Sequence, residues 1–112
     1  MNHPTKLEQE ELIAAFRKRR ALMSTGDAAQ IRAYLLKLHG TDPKAREVYT
    51  QTSDQELLEA AEMLTNVTVS DTKFYSPATE WKITDSAATI NIHQGSGEEL
   101  SIILKKINGE WL

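Results

Sequence analysis

The sequence predicts an α+β domain in which N-terminal helices cover one face of a four-stranded antiparallel sheet. Three observations carry that reading. The first half of the chain repeats apolar residues at helical spacing, most cleanly at Ile31, Tyr34, Leu35 and Leu38. The second half alternates, with Ala88, Ile90 and Ile92 on one side of a strand and Thr89, Asn91 and His93 on the other. The tail carries Asn108-Gly109, a pair suited to a type I′ turn because that turn needs φ > 0 at both central residues. Such a turn folds Glu110-Trp111-Leu112 back onto the strand before it.

At 112 residues, 40% hydrophobic and 26% charged, the chain has the size and composition of one globular domain spanning 1–112. A net charge of −3 argues against general nucleic-acid binding, which depends on neutralising phosphates. The absence of cysteine excludes disulfides, thiolate catalysis and cysteine-ligated zinc. No apolar run approaches the roughly 20 residues that span a bilayer, so no membrane role is expected. The start, Met1 to Lys6, lacks an apolar signal core. The chain as written therefore reads as cytoplasmic, or as periplasmic or secreted if a leader has been removed.

The first helix runs from about Lys6 to Ser24. Leu12, Ala15, Phe16, Leu22 and Met23 share one face, with glutamates in the first turns and basic residues towards the end. Gly26 stops it. Asp27 caps the second helix, about Ala28 to His39, with Gln30 at the capping-box position. Gly40 ends that helix, and Thr41 or Asp42 before Pro43 opens the next. Residues 44–50 fit either one or two helical turns or a short strand at Glu47 to Thr50, and the balance leans to helix. Ser53 with Glu56 makes another capping box, opening a helix to about Leu64 with Leu57, Ala60, Ala61 and Leu64 on one face.

Beyond it, Val67 to Ser70 alternates and Thr72 to Tyr75 continues the run as a strand, which Ser76-Pro77 interrupts. Glu80 to Thr84 buries Trp81 and Ile83. After a turn at Asp85-Ser86 comes the strand Ala88 to His93. Gly95-Ser96-Gly97 turns the chain into Leu100 to Ile107, where Leu100, Ile102 and Leu104 share one face while Ile103 and Ile107 occupy the other. A strand apolar on both sides is central or forms half of a subunit interface.

Two stretches carry a family resemblance. Ala21 to Asp27 is similar to the alanine…glycine-aspartate junction between the first two helices of the nuclear-transport-factor-2-like (cystatin-related cone) superfamily. Ile103 to Trp111 is similar to its closing hairpin. The order of elements covers nearly the whole chain and resembles the small bacterial members. The resemblance implies helices packed on the concave face of a curved, cone-like sheet, and either an isomerase or hydrolase acting on a compact apolar substrate or a non-catalytic binding or assembly domain. Two departures imply a shallower cone: one residue follows Trp111, where the family's last strand runs on, and the strand pair after the second helix is reduced to Val48-Tyr49 at most.

An isomerase of this kind needs a carboxylate base in an apolar pocket facing hydrogen-bond donors. Tyr34 and Tyr49 are the available donors, and Asp42 and Asp71 the available bases. Plainer roles compete for each: Tyr34 lies on a core stripe, Asp42 caps a helix, and Asp71 faces solvent. His39 sits in a last helical turn, which favours a positive imidazole. His93 belongs to a polar row that is either an exposed sheet surface or one wall of a site. The histidines share no metal-ligand spacing, so neither metal nor cofactor is expected. Asn66-Val67-Thr68 matches a glycosylation acceptor that lacks a secretory context.

Arg17 to Arg20 is the basic cluster, but at about 100° per residue its members spread around the helix. Arg19 falls on the apolar stripe, seven residues after Leu12. From there it either holds an anionic ligand or packs its stem and sends its head to solvent. The leading expectation is a non-catalytic small-molecule-binding or protein-interaction module. Its pocket, between helices and sheet, would be lined by Phe16, Arg19, Tyr34, Leu38, Trp81, Ile92 and Ile102, and would take a small apolar or anionic ligand. The other sheet face would form a homodimer.

Overall fold

The computed structural model describes residues 4–65, 69–93, 97 and 99–112, without the side chains of residues 64 and 65. Five helices precede the sheet: α1 (Lys6–Met23), α2 (Ala28–Leu38), α3 (Pro43–Gln51), α4 (Asp54–Thr65) and α5 (Asp71–Phe74). The strands are β1 (Glu80–Ile83), β2 (Ala87–His93), β3 (Glu99–Ile107) and β4 (Glu110–Trp111), in the order β1-β2-β3-β4 with every neighbouring pair antiparallel. The fold is α+β with a curled four-stranded antiparallel sheet. By contacts the chain forms two compact units, one comprising Met1–Arg17 with Val69–Leu112 and the other Lys18–Thr68.

In the first unit, α1 opens on a capping box. Thr5 Oγ1 accepts from the Glu8 amide at 3.1 Å while the Glu8 carboxylate accepts from the Thr5 amide at 3.1 Å. Leu12, Ile13 and Phe16 on this helix pack with Phe74 of α5, Ala88, Ile90 and Ile92 of β2, and Ile102 and Leu104 of β3. Trp81, Ile83, Leu100 and Trp111 close the margin of that core. Register explains the sorting of side chains. Trp81 stands opposite Ile90, which stands opposite Ile102, so one face of the sheet is apolar across three strands. The β3–β4 turn has φ of 51° at Asn108 and 80° at Gly109, both in the left-handed region the turn requires. Ile107 pairs with Glu110, and the Leu112 amide donates to the Lys105 carbonyl at 2.8 Å.

The predicted strand at 72–75 is a helix. Asp71–Phe74 forms α5, with Ser70 at its N-cap position and the Tyr75 amide donating to the Asp71 carbonyl at 3.0 Å. Thr72, Phe74 and Tyr75 are residues that strands favour, but a single helical turn drives Phe74 into the core, where it is fully buried. Thr79 Oγ1 donates to the Lys73 carbonyl at 2.6 Å and satisfies the end of that turn. The sheet still has four strands because Glu110-Trp111 supplies the fourth. Val67 and Thr68, the acceptor pattern at Asn66, and Gly95-Ser96 lie outside the described residues, while Val69 and Ser70 are not in a strand.

In the second unit, α2 buries Ile31 and Tyr34 and packs against both α3 and α4, where Leu57 and Ala61 are buried. Asp27 caps α2, accepting from the Ala29 and Gln30 amides, and the Gln30 side-chain amide donates to its second oxygen at 2.9 Å. This arrangement holds the Asp27 carboxyl below its ordinary pKa, with the Gln30 side chain the largest cause. Asp42 caps α3 in the same way with Pro43 at N1, so residues 44–50 are helical. Ser53 Oγ accepts from the Glu56 amide at 3.2 Å. Gly40 follows α2 without left-handed φ. What it supplies is space, because a Cβ there would lie 2.8 Å from the Leu36 carbonyl oxygen.

Candidate functional sites

Glu10, Ile13, Ala14 and Arg17 recur on one face of α1 at spacings of three and four residues. Asp71 and Tyr75, four residues apart, stand across from them. Together these six side chains line an open groove of about 560 Å³ in the first unit. Arg17 Nη2 donates to Asp71 Oδ1 as an ion pair, with the two side chains 51% and 66% exposed. The groove thus has an apolar wall from Ile13 and Ala14, a half-exposed phenol, and a guanidinium already engaged by a carboxylate. A ligand bearing its own carboxylate would compete with Asp71 for Arg17. As a general base Asp71 lacks the enclosed apolar setting that proton abstraction from carbon requires.

A second candidate surface is the sheet face opposite the core. Its residues form cross-strand rows fixed by the register. Ala87 pairs with Lys105; Lys82, Thr89 and Ile103 form the next row; Glu80, Asn91 and Ser101 the next; His93 and Glu99 the last. Ser101 Oγ donates to Asn91 Oδ1 at 2.7 Å. His93 Nδ1 lies 3.1 Å from a Glu99 carboxylate oxygen, and its Nε2 lies 3.9 Å from one of Glu80. His93 is therefore part of an outer-face cluster, not of a wall facing the core. Ile103 is 57% exposed amid these polar side chains, and half-buried Ile107 follows it on the same face.

The predicted pocket residues fall in both units. Phe16, Ile92 and Ile102 are 8%, 1% and 3% exposed and pack in the first unit's core, with partly buried Trp81 against it. Arg19, Tyr34 and Leu38 belong to the second unit. There Arg19 and Tyr34 meet. Burial raises the Tyr34 hydroxyl pKa above its ordinary value, and the hydrogen-bonded Arg19 guanidinium offsets part of that rise. His39 stacks on Tyr49, with ring centroids 5.2 Å apart and planes at 22°.

Sequence reasoning missed three features. Arg17 and Asp71 meet only because residues 71–74 are helical, which the strand assignment concealed. The Thr5–Glu8 capping box is the second, although its Thr-x-x-Glu spacing is plain in the sequence. Arg32 is the third: from mid-α2 it donates to the carbonyls of Tyr49 and, at 3.2 Å, Thr50, and to Asp54 Oδ1 at 2.7 Å. One guanidinium so binds the last turn of α3 and the first residue of α4.

Among the described residues, no cluster of three or more His, Asp or Glu side chains is arranged to hold a metal ion, and no helix is long and apolar enough to cross a membrane. No protein-family model, curated protein or solved structure matches the chain.

Proposed function

We propose that this chain is a non-catalytic protein-interaction module on a cone-like α+β scaffold of the nuclear-transport-factor-2-like kind, and that it self-associates through the outer face of its sheet. The observation that carries the reading is Ile103. It stands on a central strand, 57% exposed, with half-buried Ile107 further along the same face beyond Lys105, while the opposite face of the same strand is packed in the core. A second copy would remove both side chains from water. The neighbouring Thr89, Asn91 and Ser101 are short enough to let two such faces approach. At about 25 cal/mol per Å² of apolar surface covered, the isoleucines supply part of the driving force and the polar rows the specificity.

The groove beside Arg17 and Asp71 supports a second reading, the binding of a small ligand with an anionic group and an apolar body. Native mass spectrometry of gently purified protein tests both readings in one measurement. Two copies without an added mass, falling to one copy in Ile103→Lys, is the outcome expected. A dimer that persists in Ile103→Lys, or a protein monomeric at all concentrations, overturns the self-association reading. A discrete extra mass lost in Arg17→Ala would favour the ligand reading.

A further inference from the structure

The groove between α1 and α5 is lined by one cation, Arg17, and two carboxylates, Glu10 and Asp71, a net charge of −1. Lys6, one turn before Glu10, and Lys73, on α5, do not line it. Arg17 is joined to Asp71 through a single carboxylate oxygen, Oδ1. Glu10 is exposed and has no ion-pair partner among the described residues. We propose that the groove binds a free basic α-amino acid of the lysine, ornithine or arginine class, whose charges are the reverse set, one carboxylate and two cations. The inference rests on the small-ligand reading above and names the class of ligand.

Each ligand charge has a counterpart. The ligand carboxylate accepts from the Arg17 guanidinium, a pairing whose fork geometry suits it. That displaces Asp71, and the α-ammonium beside the carboxylate donates to the Asp71 oxygens in its place. The resident ion pair is thus exchanged for two new ones, and neither side chain is left unpaired. A ligand with a carboxylate alone would free Asp71 without giving it a partner. At the other end of the helix face, Glu10 accepts from the terminal cation of the ligand side chain. Glu10 and Arg17 are seven residues apart on one face, about 10 Å along the helix, a span that an extended basic amino acid covers with its two end contacts. Ile13 and Ala14 lie between those ends and meet the aliphatic stem. Tyr75, 44% exposed, adds an aromatic ring to which methylenes and a guanidinium or ammonium are both attracted. The same charges work against other amino acids. A dicarboxylic one would set its second carboxylate against Glu10, and an aliphatic one would leave Glu10 unmet.

The test is calorimetric titration of the full chain with lysine, arginine and analogues that each lack one charge. Lysine and arginine should bind with millimolar Kd or tighter. Norleucine, which lacks the side-chain cation, and Nα-acetyl-lysine, which lacks the α-ammonium, should each bind about tenfold more weakly than lysine, and glutamate should not bind. Glu10→Gln should weaken lysine about tenfold and leave norleucine unchanged, a loss of selectivity that a folding defect would not produce. Arg17→Gln should abolish the preference for lysine over cadaverine, the same chain without its carboxylate. Norleucine bound as tightly as lysine, or lysine binding that Glu10→Gln leaves unchanged, overturns the inference. If no basic amino acid binds, yet native mass spectrometry finds a retained small mass that Arg17→Ala loses, the ligand class is overturned and the small-ligand reading stands. Neither binding nor a retained mass overturns both.

Discussion

The Phe16 ring meets Phe74 edge-on, with centroids 5.8 Å apart and planes at 71°, and Phe74 in turn lies 6.4 Å from the Trp81 ring. This chain of three aromatics joins α1, α5 and β1 through one fully buried side chain. Phe74→Ala should therefore cost about 3–5 kcal/mol by urea unfolding, through lost transfer energy and the cavity left behind. Phe74→Leu should recover most of that loss. A double-mutant cycle between Phe16 and Phe74 should show coupling of about 0.5–1.5 kcal/mol.

Arg32 separates two kinds of contact made by one side chain. Its bonds to the Tyr49 and Thr50 carbonyls satisfy acceptors that the end of α3 leaves without partners, whereas its bond to Asp54 reaches a carboxylate whose side chain is 77% exposed. Arg32→Met should destabilise the protein by about 1–3 kcal/mol. Asp54→Asn should cost under about 1 kcal/mol, since exposed ion pairs contribute little. The opposite ranking, measured by chemical denaturation, would place the energy in the ion pair.

Asp27 gives an acid signature. Its carboxyl is held below the ordinary value of 3.8 by the Gln30 side chain and the helix amides. A lowered folded-state pKa contributes stability that is present above the unfolded value and is lost as pH falls through the folded one. Asp27→Ala should thus be less stable than the parent at neutral pH, with the gap in urea midpoint closing as pH drops below 3.8 and the cap itself protonates.

Tyr34 gives the alkaline counterpart. Burial raises its pKa above 10.0, so its contribution is complete below the unfolded value and is lost as pH rises through the folded one. Phenolate absorbance should show a Tyr34 step at higher pH in native protein than in urea. Tyr34→Phe should remove the delayed step. It should also cost about 0.5–1.5 kcal/mol at pH 7 for the lost bond to Arg19.

The fold was legible wherever a local pattern had a single physical reading. Asp27 and Asp42 cap as their positions imply, the Ile31–Tyr34 stripe is buried, and Asn108-Gly109 forms its turn. It was illegible where composition and tertiary demand conflict. Thr72, Phe74 and Tyr75 have strand-forming side chains, yet the core needs Phe74 at the end of a helical turn, and Ser70-Asp71 was the only local sign of it. Of the candidate site residues, Phe16, Ile92 and Ile102 were legible as apolar interior positions, and Arg19 and Tyr34 each as a position on the apolar stripe of its own helix, whereas their meeting was not legible. The Arg17–Asp71 groove depends on residues 54 positions apart and on the unexpected α5.

The first unit is discontinuous along the chain, since Lys18–Thr68 intervenes between its two pieces. During synthesis from the N-terminus, Leu12, Ile13 and Phe16 leave the ribosome well before Phe74, Ile90 and Leu104 exist to receive them. Helices α2 to α4, whose partners are close in sequence, can assemble while the chain is still growing. The sheet unit must wait until β3 and β4 have been made, after the whole of Lys18–Thr68. That delay leaves an apolar helical stripe uncovered in the nascent chain, at the stage when a holding chaperone would engage it.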